Sequence, residues 1–375
     1  MSKINIETLT PIHIGSGTFL QKGNDFVCGK SEDGYDVIAI INLKKALELI
    51  GEDNISSWEA GIKNGRSIDD IIHQYAPQAK LEDFADRIIM RWSNKSTETL
   101  KEFIHDGMGR PYIPGSSIKG AIRTAILTSI IDTVPQKEEK IVKQRKTRNG
   151  EMKKAVSANE VEAWAFGKDP NNDVFRFLQV GDAIFGKEYE AATRLVNLNE
   201  RERQSYWDES KPQLVEALVD GDTAQFELKI CNDLKSIQSS ISSKMPSCMK
   251  DIETLFATIN THTLSLLEKE IDYWKERVGD DNAKNVKIYL EKLSELKSKA
   301  AECESKKGTC VIRLGHGSGW RFITGAWAEQ LSNFNLVIQH SRPRNKNYEE
   351  FDFPKSRRVD DECELLGFAL LSVDT

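Results

Sequence analysis

Residues 111–123 read PYIPGSSIKGAIR, a turn-rich segment that leads directly into an apolar pattern. Its prolines and Gly115 favour a turn, and the two serines that follow can cap the first turn of a helix. The segment therefore predicts a turn followed by a helix, with Lys119 and Arg123 four residues apart on one side of it. Apolar side chains recur there at the 3.6-residue spacing of one helix face, namely Ile118, Ala121, Ile122, Ala125, Ile126 and Ile130.

Two more glycine-rich stretches lie far from this one in the sequence. Gly15-Ser16-Gly17 is expected to be a turn after an extended N-terminal segment, and Gly315-His316-Gly317-Ser318-Gly319 follows a strand-like run from Cys310 to Leu314. Glycines let a backbone come close to a phosphate, and free amides supply hydrogen-bond donors. Neither GxxxxGK followed by Ser or Thr nor GxGxxG is present, so the sequence does not support a nucleoside triphosphatase or a dinucleotide enzyme.

The chain is acidic overall but basic in patches. Its 375 residues include 52 Lys and Arg against 58 Asp and Glu, a net charge of −6. Basic residues nevertheless flank the glycine stretches, which is the pattern expected for contact with a polyanion backbone without reading of bases. Residues 136–154 carry eight basic and three acidic residues and almost no apolar ones, so we expect a mobile basic loop there. A second basic loop is expected between Arg342 and Arg358.

Alternating and helical patterns together predict an α+β protein. A helix is expected over residues 43–50, with Asn42 as its N-cap. The glycine-poor, highly charged stretch from about 200 to 307 has a helical period and predicts an inserted helical bundle. Strands are expected near residues 4–8, 26–28, 35–41, 175–180, 193–198, 310–314, 334–338 and 365–371.

Groups that could carry catalysis or hold a metal are few. The six histidines contain no HExxH motif and the six cysteines no CxxC pair, so we expect no metal site and no cofactor. The dipeptide His105-Asp106 lacks further ligands at a recognisable spacing. The N-terminus resembles a first strand and no long apolar run is present, so we expect a cytoplasmic protein without a membrane-spanning segment.

Four motifs are similar to those of one protein family. They resemble the RAMP superfamily of CRISPR proteins and, within it, the family of fifth subunits of type III-A (Csm) effector complexes. The motif at residues 111–123 is the most specific of the four. The motifs are Thr10 to Gly17, Pro111 to Arg123, Ile312 to Gly319 and Phe353-Pro354-Lys355-Ser356-Arg357-Arg358.

The resemblance implies two ferredoxin-like (RRM-like) RAMP domains. The first would span residues 1–186 with the basic loop 136–154, and the second residues 187–375 with the helical insertion of about 200–307. It also implies a non-catalytic subunit that binds the guide RNA near its 3′ end, caps the filament of backbone subunits and is needed for guide RNA maturation in antiviral defence. The backbone RAMP subunit and the small helical subunit are the implied protein partners, and host nucleases are further candidates.

The glycine stretches and their basic neighbours are the predicted RNA-binding site. We expect them to hold the RNA through backbone amides and positive charge. The predicted contact residues are Gly15, Ser16, Gly17, Gly115, Ser116, Ser117, Lys119, Arg123, Arg313, Gly315, His316, Gly317, Ser318 and Gly319.

Two other functions compete with this one. A metal-independent RAMP-type endoribonuclease that processes repeat RNA would use His316 or His13 as its acid or base, since imidazole titrates near neutrality. Asp25 lies in a loop whose position is comparable to that of a target-cleaving aspartate of backbone subunits, but no surrounding motif supports that role. A helical scaffold protein would show no RNA affinity. The sequence favours the non-catalytic subunit, because it offers no convincing pair of proton-transfer groups.

Overall fold

The computed structural model describes residues 2–95, 97–146, 149–186, 190–202, 204–231, 241, 244–279, 283–341 and 353–374. Its strands, in chain order, are β1 Ser2–Thr8, β2 Gly15–Gln21, β3 Phe26–Lys30, β4 Asp36–Ile41, β5 Ala85–Arg91, β6 Thr99–Phe103, β7 Tyr112–Ile113, β8 Val142–Lys146, β9 Met152–Val156, β10 Leu178–Val180, β11 Ala183–Ile184, β12 Glu190–Asn199, β13 Trp207–Leu218, β14 Thr223–Ile230, β15 Thr309–Arg313, β16 Ser356–Asp360 and β17 Phe368–Val373. Its α-helices are α1 Leu43–Ile50, α2 Ile55–Lys63, α3 Ile68–Tyr75, α4 Leu81–Phe84, α5 Gly115–Ile130, α6 Lys137–Ile141, α7 Asn159–Ala165, α8 Ile252–Lys275, α9 Lys284–Ser305 and α10 Phe334–Ser341.

Two large sheets organise the described residues. One has five strands in the order β10-β14-β1-β17-β15, and the other runs β2-β6-β13-β12-β5-β4-β3, with β16 beside β12. Both sheets take strands from both sides of residue 186, where the sequence places its domain boundary. The chain therefore crosses between the two sheets repeatedly, and this mixture of helices and antiparallel pairs confirms the expected α+β class.

The five-stranded sheet is covered on both faces. Alternation along the strands sends Cys310 and Ile312 into the cluster that contains the buried face of α5, and sends Val311 and Phe368 into the cluster built on α8 and α9. The later turns of α8, from Leu264 onward, pack with α9 on this second face, whereas its first turns, with Leu255, Phe256 and Ile259, join the α5 cluster. Because both faces are buried, the strands carry apolar residues at successive positions.

Several sequence predictions are confirmed near the N-terminus and at the central motif. The predicted strands near residues 26–28 and 35–41 are β3 and β4, which pair as an antiparallel hairpin. Asn42 caps α1, with its Oδ1 accepting from the backbone N–H groups of Lys44 and Lys45 at 3.1 and 3.2 Å. Helix α5 begins at Gly115 and buries Ile118, Ile122, Ala125 and Ile126, as the spacing predicts. No helix in the described part of the chain is long and apolar enough to cross a membrane.

The predicted helical insertion is wrong in its first third. Residues 207–218 and 223–230 are strands of the two sheets, and only α8 and α9 form the helical pair. The sequence pattern misleads because the end of β13, residues 214–218, is buried at every position and shows no alternation. The predicted strand at residues 334–338 is likewise wrong, since this run begins helix α10 and buries Val337 and Ile338.

The segment predicted as a mobile basic loop, residues 136–154, contains regular secondary structure. Helix α6 leads into the antiparallel hairpin β8–β9, with Val142 opposite Val156. Ile141 is 1% exposed in the central core and anchors the base of this hairpin. Apolar residues at the base thus anchor a hairpin whose two strands carry exposed basic side chains. Of the second predicted basic loop, residues 342–352 lie outside the described residues, and residues 356–360 form β16.

The glycine stretch at 15–17 is not a tight turn but the start of β2, where Gly15 lies opposite Phe103. The predicted strand at 175–180 begins as a short 3-10 helix, Val174–Phe177, and only Leu178–Val180 pairs with β14.

Candidate nucleic-acid interface

The first and third glycine stretches meet in space. The backbone N–H of His316 donates to the carbonyl of His13 at 2.9 Å, which fixes the third stretch against the residues just before β2. Gly315 has a φ of 74°, and a Cβ at this position would lie 2.5 Å from the same carbonyl oxygen. Glycine is therefore required for this close approach.

Two cations lie beside the joined stretches. Lys101 on β6 has its Nζ 3.4 Å from Nε2 of His316, and both nitrogens lie 3.0 Å from Oε1 of Gln213 on β13. Arg358 on β16 donates to the carbonyl of Lys211 at 3.1 Å. Burial, and next the charge of Arg358, lower the pKa of Lys101. Among the described residues, neither Lys101 nor Arg358 forms an ion pair with a carboxylate.

An exposed aromatic ring borders these cations. Phe19 lies opposite Lys101 on the neighbouring strand and is 56% exposed, and the ammonium of Lys101 is 5.8 Å from the centre of its ring. Gly15, Ser16 and Gly17 are exposed on the same strand. We name the surface formed by residues 15–19, Lys101, Gln213, residues 315–317 and Arg358 the basic face. An exposed ring beside unpaired cations suits a single-stranded nucleic acid, whose bases stack and whose phosphates need positive charge.

His316 of the basic face and the buried His13 beneath it are both neutral near pH 7. Their rings meet edge to face with centroids 5.6 Å apart. Burial and then the charge of Lys101 lower the pKa of His316 to about 4. Burial also lowers the pKa of His13 to about 4, although its Nδ1 lies 2.5 Å from the Glu216 carbonyl oxygen. Acid–base cleavage of RNA needs one proton donor and one acceptor at the working pH, and this pair supplies no protonated imidazole there.

In the second glycine stretch, the backbone N–H of Gly115 and the guanidinium of Arg123 are bound by other groups of the protein. The backbone N–H of Gly115 donates to Asp182 at 2.7 Å. Arg123 pairs with Glu162 at 3.1 Å and Asp173 at 2.9 Å, and its guanidinium lies over the ring of Phe166. These contacts tie α5 to the segments that surround it.

The remaining predicted residues of this helix lie nearer to solvent. Burial lowers the pKa of Lys119, the nearby Asp173 raises it and Arg123 lowers it. Ser116 is exposed, and Ser117 lines a cavity of about 370 Å³ together with Gly315 and Ser318 of the third stretch. The second and third stretches therefore border one cavity.

Near the third glycine stretch, two of the predicted RNA contacts have side chains that are buried and hydrogen-bonded within the fold. Arg313 is 8% exposed, and its Nε donates to the carbonyl of Leu366 at 2.9 Å. Burial lowers its pKa to about 10. Ser318 is 3% exposed, and its hydroxyl donates to the carbonyls of Leu314 and Gly315. Gly317 is half-buried and Gly319 exposed in the same loop.

Below the basic face lies a buried charge network. Nε2 of His105 is 2.9 Å from Glu190, while Arg87 contacts Glu216 at 2.7 Å. His105, Glu190 and Glu216 bring ligand atoms within 4.8 Å of one another, a grouping that the sequence spacing did not indicate. Burial alone would lower the pKa of His105, but its hydrogen bond to Glu190 raises it. Arg87 already supplies a positive charge to Glu216 at this place.

Sequence reasoning missed Lys101 and Gln213 entirely. Neither residue lies near a glycine stretch in the sequence, and they meet His316 only because β6 and β13 are neighbours. Arg358 was noted within a basic segment, without a link to His316. Asp25 has a local role, since its Oδ2 accepts from the backbone N–H of Gln21 at 2.7 Å.

The fold and the basic face define an α+β protein with an exposed surface suited to a polyanion. The sequence matches the RAMP superfamily over residues 5–322, and the chain belongs to that superfamily. The solved structures below confirm the RAMP fold with its helical insertion.

Two curated relatives carry the name CRISPR system Cms protein Csm5. The relative from Methanocaldococcus jannaschii is 32% identical over 192 residues, which is 48% of this chain and 42% of the relative. The relative from Streptococcus thermophilus is 25% identical over 139 residues, 34% of this chain and 38% of the relative. The matches thus span less than half the length of either relative.

Two solved structures share the fold over nearly the whole chain. A chain in the cryo-EM structure of a Csm-crRNA-target RNA ternary complex of a type III-A CRISPR-Cas system has a TM-score of 0.66 at 22% identity, with all of both chains covered. The crystal structure of T. onnurineus Csm5 has a TM-score of 0.62 at 18% identity and covers 97% of this chain and 99% of that one.

Proposed function

We propose that this chain is a non-catalytic, guide-RNA-binding subunit of a type III-A CRISPR effector complex, of the kind named Csm5. The names of the two relatives and the RNA-containing complex among the similar structures support this assignment. Its role is to cap the guide RNA at the 3′ end and to support guide maturation and complex assembly. The backbone RAMP subunit and the small helical subunit are its protein partners, and host nucleases are candidate transient partners.

The observation that carries the RNA contact is the group of unpaired cations on the basic face. Lys101 and Arg358 lie near each other, and like charges held together raise the free energy of the empty site. A phosphate offsets this repulsion, and the exposed glycine stretch at residues 15–17 lets a backbone approach closely without reading of bases. The hairpin β8–β9 adds a second basic surface, since Arg145, Lys146, Lys153 and Lys154 are exposed on it.

The non-catalytic assignment rests on the state of the histidines. His13 is 2% exposed, and both imidazoles are neutral at the pH of the cell interior. Incubation of highly purified protein with repeat RNA in a chelator separates the two functions. Intact RNA is expected, whereas defined products that disappear in His316→Ala would establish the endoribonuclease instead.

The RNA contact is tested by salt-dependent binding of single-stranded RNAs of unrelated sequence. Replacing Lys101 and Arg358 by alanine should weaken binding to every RNA alike and flatten the slope of log K against log salt by about 0.7 per lost contact. Lys44→Ala, which removes an exposed lysine on α1, is the matched control and should leave the slope unchanged. An unaltered slope in the folded double variant would contradict the proposed site.

A further inference from the structure

A separate cleft of about 760 Å³ shares no lining residue with the basic face. Its walls come from the β1–β2 connection at residues 9–11, from β12 and α9, and from the turn after β16. Six carboxylates and three basic side chains line it, so its lining carries a charge of −3. This charge is opposite in sign to that of the basic face, and an RNA backbone would be repelled here.

Much of the acidic charge has no internal partner. Lys292 pairs with Glu364 at 2.8 Å, and Arg194 pairs with Asp361. Within the described part of the chain, the other four lining carboxylates form no ion pair with a basic side chain. They are Asp220, Glu295, Asp360 and Glu362.

Asp360 independently indicates a cation. It is only 9% exposed, and its Oδ1 accepts from the backbone N–H groups of Glu362 and Glu364 at 2.9 and 2.8 Å. Burial, with nearby Glu364 and Glu362 adding to it, raises its pKa to about 6 against the pull of those amides. The charge of Lys292 acts on Asp360, but Lys292 forms its ion pair with Glu364. A further cation in the cleft would therefore stabilise the buried carboxylate of Asp360.

The shape of the site favours an extended occupant over a metal ion. Among the described residues, the only His, Cys, Asp or Glu group close enough to share an ion is His105 with Glu190 and Glu216, outside this cleft. Four of the six cleft carboxylates come from the turn at residues 360–364, and the other two, Asp220 and Glu295, come from separate segments of the wall. Trp92 is 46% exposed at its edge and also lines an adjoining cavity of about 490 Å³ that contains Trp207. Indole faces attract ammonium and guanidinium groups.

We propose that this cleft binds a lysine- or arginine-bearing segment of a partner protein, with basic side chains seated against Asp360, Glu295 and Glu362 and beside the face of Trp92. The charge of the cleft, its carboxylates from three segments of the chain and its exposed indole fit this occupant together. The site is independent of the RNA contact on the basic face.

Fluorescence anisotropy of a labelled hexa-arginine peptide on the full chain tests the proposal. Glu295→Gln combined with Glu362→Gln should weaken peptide binding by about fivefold or more, because two near-surface ion pairs are lost. Trp92→Ala should weaken it by about twofold to fivefold. Both glutamates are exposed, so the variants are expected to fold, and circular dichroism checks this.

Glu304→Gln is the matched control, since Glu304 is exposed on α9 nine residues from Glu295 and therefore on the opposite side of that helix. It should leave peptide affinity unchanged, and a hexaglutamate peptide should not bind. The Lys101 and Arg358 double variant should bind the peptide normally, which separates this proposal from the RNA site. Equal peptide affinity in the glutamate variant and the parent protein would overturn it. Displacement of the peptide by single-stranded RNA, or calcium binding lost in the glutamate variant without any peptide binding, would also overturn it.

Discussion

Two sets of basic residues lie near the glycine stretches, and the structure treats them in opposite ways. Arg123 has two carboxylate partners and an aromatic ring, and Arg313 is buried with its Nε on a carbonyl. Lys101 has a neutral and a cationic neighbour instead, and Arg358 lies near Asp208 but forms no ion pair with it among the described residues. In sequence, Arg123 and Arg313 look like the phosphate binders. In space, the charge left for a ligand belongs to the other set.

The difference shows that proximity to a glycine stretch does not decide whether a cation is available. What decides it is the set of carboxylates that other parts of the chain bring to the same place. Glu162 and Asp173 reach Arg123 from 39 and 50 residues away. A paired guanidinium stabilises the fold, whereas an unpaired one near a second cation favours the binding of an anion.

The largest loss of stability is expected where basic side chains that are paired within the fold are most buried. Glu270 is 3% exposed and accepts from Arg321 and Arg357. Burial alone would raise its pKa, but the charges of Arg357 and Arg321 lower it to about 2. Glu270→Gln leaves two buried guanidiniums without their shared counter-charge and should cost about 3 kcal/mol of unfolding free energy.

Urea denaturation followed by circular dichroism measures this loss. Glu268→Gln on the same helix is the control, because the Glu268 side chain is 54% exposed and pairs only at the surface with Lys297. Equal stability of the two variants would show that the Glu270 network does not hold α8 to β16.

Arg123→Ala is the next test and compares the two sets directly. Loss of two ion pairs and of the contact with Phe166 should lower the unfolding free energy by about 1–2 kcal/mol. The slope of RNA binding against salt should stay unchanged, which is the reverse of the result expected for Lys101→Ala. If Arg123→Ala instead flattens the slope and keeps its melting temperature, the division between structural and binding cations fails.

A smaller effect is expected within the third glycine stretch. Gly317 has a φ of 85°, which a β-branched residue rarely adopts. Gly317→Val should therefore weaken RNA retention and lower the melting temperature, whereas His316→Ala should change RNA affinity little, because the neutral imidazole offers at most one contact. Filter binding of the two folded variants gives the ranking, and a reversed order would restore the imidazole to a central role.

The smallest effect concerns pH. With its pKa near 4, His316 stays neutral between pH 8 and pH 6, so RNA affinity should be flat over that range in the parent protein and in His316→Ala. The free energy of unfolding should change at lower pH. A histidine whose folded pKa is depressed contributes stability above about pH 6.5 that is lost as pH falls toward 4. Thermal melting from pH 7 to 4 should show this loss, reduced in His316→Ala, and an RNA affinity that climbs from pH 8 to 6 would contradict the assignment.

Local signals carried the sequence predictions that succeeded. The caps and spacing of α1 and α5 depend on neighbours within four residues, and the sequence displays these directly. A strand that is buried on both faces is apolar at successive positions, so the sequence does not show the alternation that identifies a strand. Residues 214–218 lose their alternation for that reason, and the run at 334–338 has the composition of a strand but packs as a helix.

The site divides in the same way. The glycine stretches were visible in the sequence, and the close approach of Gly315 to the His13 carbonyl shows why glycine is needed in the third stretch. Lys101 and Gln213 were not visible, because 112 residues separate them and only strand pairing unites them. The ion pairs of Arg123 with Glu162 and Asp173 could not be predicted from the sequence for the same reason. Its carboxylate partners carry no motif of their own.

The order of strands in the five-stranded sheet has a consequence for how the protein is made. Strand β17 lies between β1 and β15, and β1 lies between β17 and β14. The ribosome delivers residues 368–373 after every strand with which they share the sheet. Until then, β1 and β15 each expose an unpaired edge and the apolar side chains meant for both helical layers. Completion of this sheet therefore waits for β17, and the pairing of β17 with β1 across most of the chain makes this step slow in the manner of high-contact-order topologies.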